Sequence, residues 1–167
     1  MDLAEQQTND GGTAGVIARP PLLFLGALLV GLILDQLLSL PFPVSRIGLP
    51  HWLAATVAGF LILIGVAVFA MSIRNFLGAA TPVEGTKPTR VLVTTGIHGW
   101  SRNPIYFGMF LIYLGVGIAA RSPWILILVL PLSIIMRYGV VAREEAYLER
   151  RFGAPYRDYK ARVRRWL

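Results

Sequence analysis

The residues best suited to chemistry lie in a run from Thr94 to Gly108, TTGIHGWSRNPIYFG, which ends a polar loop and begins an apolar segment. Asn103 is suited to the N-cap of a helix. Pro104 is suited to its first position, because proline has a fixed φ and lacks an N–H. Helix N-termini carry unpaired N–H groups and partial positive charge, and Arg102 adds a full charge beside them. The run therefore predicts an anion-binding pocket at the start of an apolar helix.

A second charged cluster follows later in the chain, where Arg137, Arg143, Glu144 and Glu145 end another apolar segment. If the two segments form a tight helical hairpin, Arg102 and Glu144 are neighbours. Arg137 and Glu144 are seven residues apart and share a face of one helix, whereas Glu145 points about 100° away. One glutamate would then line the pocket, and the other would meet solvent or Arg102. A purely structural network of ion pairs is the alternative that these residues leave open.

The composition indicates an integral membrane protein, because 55% of the 167 residues are hydrophobic, only 15% are charged and the mean hydropathy is +0.61. Cysteine is absent, which excludes disulfides and thiolate chemistry. The only histidines are His51 and His98, so we expect no metal site. The net charge of +7 lies mainly beside the apolar segments. Membrane lipid headgroups are therefore the expected partners, and nucleic acid is not.

Four apolar segments predict an all-α, polytopic membrane protein. The predicted transmembrane helices are residues 22–40, 51–73, 104–120 and 123–142. The last two form a C-terminal helical hairpin. Residues 1–20 are polar and predict a disordered cytoplasmic tail, which leaves residues 21–167 as one membrane domain.

A short cytoplasmic helix is predicted after the hairpin. Gly153 is suited to ending the preceding long helix, and Pro155 to starting the next one. Tyr156, Tyr159 and Val163 are spaced to share its apolar face. We expect this helix to fold back over the pocket.

The distribution of basic residues predicts the orientation in the membrane. Of the 16 Lys and Arg residues, only Arg46 and Arg121 fall in one set of loops. The positive-inside rule then places both termini in the cytoplasm. We expect a multi-pass protein of a bacterial inner membrane.

Two segments, LVTTGIHGWSRNPIYFG and REEAYLERRFGAPYRDYKARVRRWL, resemble the C-terminal half of the isoprenylcysteine carboxyl methyltransferase and phospholipid methyltransferase superfamily. That superfamily has a Gly-x-x-x-x-x-Arg-His/Asn-Pro-x-Tyr-x-Gly element, then a Glu-Glu pair and a Phe-Gly-x-x-Tyr-x-x-Tyr element. The resemblance covers roughly residues 81–167. It implies S-adenosylmethionine bound by the hairpin and the cytoplasmic loops. The methyl acceptor would be lipophilic, either an isoprenylcysteine-like carboxylate or a lipid amine.

The resemblance also implies roles for individual residues. Arg102 would pair with the carboxylate of the cofactor, and Glu144 or Glu145 would accept from its ribose hydroxyls or amino group. Trp100 would stack on adenine, or else it is an interfacial anchor. The implied cofactor-binding set is Gly96, His98, Trp100, Arg102, Asn103, Pro104, Tyr106, Glu144 and Glu145. For catalysis, Arg137 or Arg143 would be the counter-charge of a carboxylate acceptor, and His98 or a glutamate would be the base for an amine.

The sequence departs from the superfamily pattern at three places. Many relatives have Tyr or Phe at His98 and a basic residue at Gly99, and the usual Val-Pro-Arg near the terminus reads Val163, Arg164, Arg165. His98 is therefore a cofactor ligand, a base or a hydrogen-bonded structural residue. Two other functions remain open at this stage. They are an NADPH-dependent membrane reductase of the sterol-reductase type and a noncatalytic membrane scaffold.

Overall fold

The computed structural model describes residues 14–38, 40, 41, 50–81 and 89–166. Within these ranges every regular element is helical, so the all-α prediction is confirmed. The elements are α1 (Pro20–Leu37), α2 (His51–Gly78), a 3₁₀ helix (Gly96–Gly99), α3 (Pro104–Ala119), α4 (Pro123–Ile135), a π-helical segment (Met136–Val141), α5 (Ala142–Phe152) and α6 (Ala154–Arg162).

Three continuous helices are long and apolar enough to cross a membrane: Pro20–Leu37, His51–Gly78 and Pro123–Phe152, which joins α4, the π-helical segment and α5. The fourth apolar helix, Pro104–Ala119, is shorter, with 16 residues. The prediction of a polytopic membrane protein is confirmed. The four apolar helices overlap the four predicted spans, although α1 ends at Leu37 and α2 continues to Gly78. Residues 1–13 of the predicted tail lie outside the described residues.

Helices α2 and α3 form the closest helix pair, and glycine makes that contact possible. A Cβ on Gly65 would stand 2.7 Å from the backbone oxygen of Gly108, and a Cβ on Gly108 would stand 2.7 Å from the oxygen of Gly65. Two turns further along α3, a Cβ on Gly115 would lie 2.9 Å from the oxygen of Ala58. Small residues let membrane helices approach to backbone contact, where van der Waals packing replaces the hydrophobic driving force. This contact holds α3 against α2, and so it also holds the start of α3, which Arg102 precedes by two residues.

A tight turn joins α3 to α4, as the sequence predicts. The side chain of Ser122 accepts a hydrogen bond of 3.0 Å from the N–H of Ile125, and Pro123 occupies the first position of α4. This cap satisfies one N–H that the first helical turn leaves unpaired. Because the turn is short, α3 and α4 run antiparallel, and the start of α3 faces the region after α4.

The π-helical segment Met136–Val141 changes the register between α4 and α5. A π-helix has i→i+5 hydrogen bonds, so each residue turns through a smaller angle than in an α-helix. The expectation that Arg137 and Glu144 share a face assumed a regular α-helix, and it is wrong. Arg137 is exposed, and its guanidinium lies 5.4 Å from the ring centre of Tyr138.

The residues just before α1 pack on this π-helical segment. The N–H of Ile17 donates to the oxygen of Gly139 at 3.2 Å, and the Ile17 side chain occupies the space where a Cβ on Gly139 would lie. Arg143 Nη1 donates to the oxygen of Gly15 at 2.8 Å. Ala14 is buried. The end of the predicted tail, residues 14–19, therefore makes specific contacts with the hairpin.

Candidate functional site

A partly open cleft lies where the 3₁₀ helix and the first turn of α3 face α5 and α6. It includes most of the polar residues that the sequence singled out. The residues that line it are Ala14, Phe76, Thr89, Val91, Leu92, Val93, His98, Arg102, Asn103, Pro104, Ile105, Tyr106, Glu144, Glu145, Tyr147, Leu148, Tyr156 and Tyr159. The loop before α3 and the helix after α4 thus converge in one site.

Arg102 lies on the wall of this cleft with its side chain only 9% exposed. Its Nη2 forms an ion pair of 3.2 Å with Oε1 of Glu145. Its Nε and Nη1 are buried and have no hydrogen-bond partner among the described residues. A buried donor without a partner carries a desolvation cost of about 1 to 3 kcal/mol, more for a charged group. An anionic group entering the cleft would remove that cost.

Glu145 is held by a second arginine from the end of the chain. Arg165 donates two hydrogen bonds to it, from Nε to Oε1 at 3.0 Å and from Nη2 to Oε2 at 2.7 Å. This bidentate geometry is the strongest that a guanidinium and a carboxylate make. The same bonds raise the pKa of Arg165 above its usual value, with a smaller Coulombic contribution from Glu145. Glu145 is therefore a fixed carboxylate between two cations.

Glu144 has a different environment, although it is the next residue. The hydroxyl of Tyr106, in the first turn of α3, donates a hydrogen bond of 2.6 Å to its Oε1. No described cation lies within ion-pair distance of Glu144. The cleft thus contains two different carboxylates. Glu145 is paired with two arginines, whereas Glu144 has a hydrogen bond from a tyrosine hydroxyl and no described cation beside it.

His98 is buried between the cleft and helix α2. Its Nε2 lies 3.3 Å from Oγ of Ser72, its Nδ1 lies 3.4 Å from Nδ2 of Asn75, and the ring of Phe76 packs edge-on against it. Burial lowers its pKa to about 4. A neutral imidazole suits these partners, because Nδ1 can accept from the amide while Nε2–H donates to the hydroxyl. The contacts are those of a structural histidine that also lines the cleft.

The start of α3 differs in one respect from the sequence prediction. Pro104 occupies the first helical position, but the side chain of Asn103 does not cap the helix. Its Nδ2 instead donates to the backbone oxygen of Arg165 at 3.1 Å, while its N–H donates to Oγ of Ser101 at 3.2 Å. The competing partner is the C-terminal segment, which the local sequence pattern around Asn103 cannot reveal.

Helix α6 closes one side of the cleft, as the predicted fold-back requires. Tyr156 and Tyr159 are both buried and line the cleft. The hydroxyl of Tyr159 donates to the backbone oxygen of His98 at 2.7 Å. Burial raises the pKa of Tyr159 to about 12, so the phenol is protonated and able to donate. α6 is thereby tied to the 3₁₀ helix.

The structure brings together seven of the predicted site residues and leaves four outside the cleft. His98, Arg102, Asn103, Pro104, Tyr106, Glu144 and Glu145 line it. Trp100 points away and is 78% exposed. Gly96 has φ +60° and packs on Asn75, so it shapes the loop without reaching the cleft. Arg137 and Arg143 are exposed, and Arg143 binds Gly15.

Arg165 is the main residue that the sequence reasoning missed. The comparison with the Val-Pro-Arg pattern includes Arg165 but assigns it no function. One signal was available: the arginine-rich run at the end of the chain follows a helix that is predicted to fold over two glutamates. That placement favours an ion pair between an arginine of the run and one of the glutamates. Tyr147 was also missed; it lines the cleft, and its hydroxyl accepts a hydrogen bond of 3.1 Å from the N–H of Thr89.

The fold and the cleft define a helical membrane protein with a polar site at one end of a helical hairpin. A family model, phospholipid methyltransferase, matches residues 54–155. These residues include most of α2, the hairpin and all of α5, so both charged clusters lie within the match. The chain belongs to the phospholipid methyltransferase family, and it is an integral membrane protein of that methyltransferase family.

Three curated proteins are similar to parts of this chain, and the name of one of them, a methyltransferase, agrees with this family. The chain is 36% identical to the protein-S-isoprenylcysteine O-methyltransferase of Saccharomyces cerevisiae over 75 residues, which are 44% of this chain and 30% of the yeast protein. It is 67% identical over 27 residues to an uncharacterized protein of Haemophilus influenzae, covering 16% and 43% of the two chains. It is 30% identical over 116 residues to the nickel-cobalt-cadmium resistance protein NccN of Alcaligenes xylosoxydans xylosoxydans, covering 70% and 54%.

The matches span about half or less of the length of these relatives. No solved structure matches the chain significantly.

Proposed function

We propose that this protein is an S-adenosylmethionine-dependent methyltransferase that acts on a lipophilic acceptor held in the membrane. The observation that carries the proposal is Arg102, whose buried Nε and Nη1 have no described partner on the wall of the cleft. Its family, phospholipid methyltransferase, supports the reaction class. A noncatalytic scaffold would have no use for two buried charged donors without partners.

The residues of the cleft fit the amino-acid end of S-adenosylmethionine. Its carboxylate would accept from the two unpaired donors of Arg102, which removes their desolvation cost. Glu145 holds the guanidinium through Nη2 by the 3.2 Å ion pair, so Arg102 is already oriented. The N-terminus of α3, which begins at Pro104, adds a favourable partial charge for the same anion.

S-adenosylmethionine supplies a methyl group on a sulfonium, which is reactive enough to transfer by in-line displacement. Such a displacement depends on proximity and alignment more than on acid or base groups. The role of this chain is therefore to hold the donor in the cleft and to exclude water. The apolar wall formed by Val91, Leu92, Val93 and Leu148 is suited to excluding water.

A lipid amine fits the cleft better than a carboxylate as the methyl acceptor. Among the residues that line the cleft, Arg102 is the one cation in the described part of the chain, and the cofactor carboxylate uses it. Glu144 lacks a described cationic partner and can attract an ammonium group. Transfer then requires that the ammonium first lose a proton to Glu144. The nitrogen of the free amine would form its bond to the methyl carbon as the methyl–sulfur bond breaks, which leaves S-adenosylhomocysteine and the methylated ammonium. Arg137 and Arg143, the predicted counter-charges of a carboxylate acceptor, lie outside the cleft.

The acceptor would reach the site from the bilayer. Helices α1 and α2 expose large apolar side chains along most of their length, including Leu25, Ile33, Phe60 and Leu63. Those faces are suited to contact with lipid chains. The cleft lies at the end of the hairpin, where a lipid headgroup would be found. A lipid acceptor therefore needs no entry route through water.

The experiment that tests the proposal uses the purified chain in lipid nanodiscs. Labelled S-adenosylmethionine and a total lipid extract should yield a labelled, lipid-soluble product, and S-adenosylhomocysteine should inhibit its formation. Arg102→Ala should weaken binding and lower product formation, while Arg157→Ala, on the exposed face of α6, should leave both unchanged. If the wild-type chain binds neither S-adenosylmethionine nor S-adenosylhomocysteine, the proposal is wrong.

The chemistry of the product identifies the acceptor. Mild alkali releases labelled methanol from a methyl ester, whereas an N-methyl group resists it. We expect no labelled methanol, because the label should remain on nitrogen as a nonvolatile N-methyl group. Release of the label as methanol would show that the acceptor is a carboxylate, as in the reaction that the name of the yeast relative describes.

A further inference from the structure

The last described residues, Val163–Trp166, form a short segment that contacts residues from both sides of the cleft. After α6 ends at Arg162, Val163 is extended, with φ −115° and ψ 129°. The backbone oxygen of Arg164 accepts a hydrogen bond of 2.9 Å from the N–H of Arg102. The ring of Trp166 packs edge-on against Phe110 of α3, with ring centres 6.4 Å apart. This segment therefore lies directly beside the loop that presents Arg102.

The backbone oxygen of Arg165 fixes the same loop from a second point. It accepts from Oγ of Ser101 at 3.3 Å and from Nδ2 of Asn103 at 3.1 Å. The side chain of Arg165 reaches in the other direction, to Glu145 on α5. One residue thus connects the loop before α3 with the helix after α4. Loop and helix are far apart in sequence and meet only in the tertiary structure.

The two arginines share Glu145 unequally. Arg165 makes two hydrogen bonds, at 3.0 and 2.7 Å, to both carboxylate oxygens, whereas Arg102 approaches one oxygen at 3.2 Å. A carboxylate and a guanidinium that are free to move would form a bidentate pair. If Arg165 did not hold Glu145, that carboxylate could turn to Arg102 and occupy its remaining donors. Arg102 would then have less capacity for a ligand anion.

We infer that Arg165 is a positioning residue, which keeps Glu145 from pairing fully with Arg102 and so keeps Nε and Nη1 of Arg102 free for the carboxylate of the bound ligand. The inference rests on the proposed function, because the ligand is S-adenosylmethionine or its product. The side chain of Arg165 thus has a role in ligand binding in addition to the packing of the C-terminal segment. Packing requires only that Trp166 and the backbone of the segment stay in place.

The test compares two ligands that differ in the group that Arg102 would bind. S-adenosylhomocysteine has the amino-acid end with its carboxylate, and 5′-methylthioadenosine lacks it. Their dissociation constants are measured by calorimetry on the whole chain in nanodiscs. The ratio of the two constants, here called the carboxylate preference, is the readout. Loss of general stability should affect both ligands and leave this ratio unchanged.

We expect the wild-type chain to prefer S-adenosylhomocysteine by at least about tenfold, as the loss of a charge-assisted hydrogen bond implies. Arg165→Ala should reduce the carboxylate preference at least about fivefold. Arg165→Lys keeps the positive charge but cannot make the bidentate contact with Glu145, and it should reduce the preference less. Arg164→Ala is the matched control. It removes a neighbouring exposed guanidinium and keeps the backbone oxygen that Arg102 contacts, so its preference should equal that of the wild type.

The double variant Glu145→Ala/Arg165→Ala separates this role from a direct contact between Arg165 and the ligand. Removing the competing carboxylate should restore the carboxylate preference above that of Arg165→Ala. An unchanged preference in Arg165→Ala, or no recovery in the double variant, would overturn the inference. If Arg165→Ala does not fold, Arg165→Lys takes its place in both comparisons, first alone and then combined with Glu145→Ala. Failure of the proposed function looks different, because the wild-type chain would then bind neither ligand, and the inference would fall with it.

Discussion

The hydroxyl of Tyr106 donates a hydrogen bond of 2.6 Å to Oε1 of Glu144, across 38 residues of sequence. The bond joins the first turn of α3 to the first turn of α5. It forms because the tight Ser122–Pro123 turn folds α4 back along α3. Glu144 and Glu145 of α5 therefore face the loop that contains Arg102, and the site exists only when the hairpin is closed.

Arg102 should control binding of the cofactor. Arg102→Ala is expected to weaken S-adenosylhomocysteine binding roughly 10- to 100-fold, the range that corresponds to one charged hydrogen-bonding group. Arg102→Lys should bind weakly as well, because a lysine cannot offer the separate Nε and Nη1 donors. Calorimetry in nanodiscs measures both, with Arg157→Ala as the control. Binding of Arg102→Ala at wild-type strength would contradict the assigned role.

Glu144 should act in transfer more than in cofactor binding. Glu144→Gln keeps an oxygen that can accept from Tyr106 but cannot take a proton at neutral pH. We expect the methyl-transfer rate to an amine to fall at least about 100-fold, as for the loss of a general base. The affinity for S-adenosylhomocysteine should change less than about tenfold.

The matched control for Glu144 is Glu149→Gln on the same helix. Glu149 pairs with Lys160 at 3.0 Å, where both side chains are substantially exposed. Its substitution should leave transfer unchanged, since exposed pairs contribute little. Full activity of Glu144→Gln on an amine would exclude Glu144 as the base.

His98 should make the folded chain less stable in mild acid. Burial lowers its pKa from 6.5 to about 4, so between these values the unfolded chain binds a proton that the folded chain does not. Stability is therefore lost as the pH falls, by about 2 kcal/mol between pH 8 and pH 5. Thermal unfolding of the wild type and of His98→Gln in detergent measures the effect.

The pH dependence attributed to His98 should shrink in His98→Gln and persist in His51→Gln. His51 is the right comparison because it is exposed at the start of α2. If His98→Gln loses as much stability as the wild type over the same pH range, another group is responsible.

Gly65 should be intolerant of a methyl group. In Gly65→Ala the new Cβ would meet the backbone oxygen of Gly108 at 2.7 Å, and a backbone atom between two packed helices cannot move aside cheaply. We expect a loss of about 1 to 3 kcal/mol, seen as a drop of several degrees in Tm. Gly59→Ala on the same helix is the control, since nothing lies within 4 Å of its Cβ. Equal Tm values for the two variants would show that α2 and α3 are not in backbone contact.

Much of this architecture is determined locally, and the sequence predicts it. Long apolar segments require helices in a bilayer, because their backbone groups must be hydrogen-bonded within the segment. Ser122 and Pro123 define the hairpin turn, and Gly153, with φ +59°, ends α5 as predicted. Because a short turn forces antiparallel helices, it could also be predicted that Arg102 and the Glu144–Glu145 pair meet in one site, although the partner of Arg102 is Glu145 and not Glu144.

What only the tertiary structure decided is which partner each polar group takes. The π-helical segment shifts the register after α4, so Arg137 lies outside the cleft although regular helical spacing predicts that it shares a face with Glu144. The side chain of Asn103 donates to the backbone oxygen of Arg165 and does not cap α3. Glu145 binds Arg165 as well as Arg102. Sequence fixes helices through short-range sterics and hydrogen bonding. The sharing of one carboxylate between two arginines depends on distances of a few tenths of an ångström, which the packing of α3, α5 and the C-terminal segment sets.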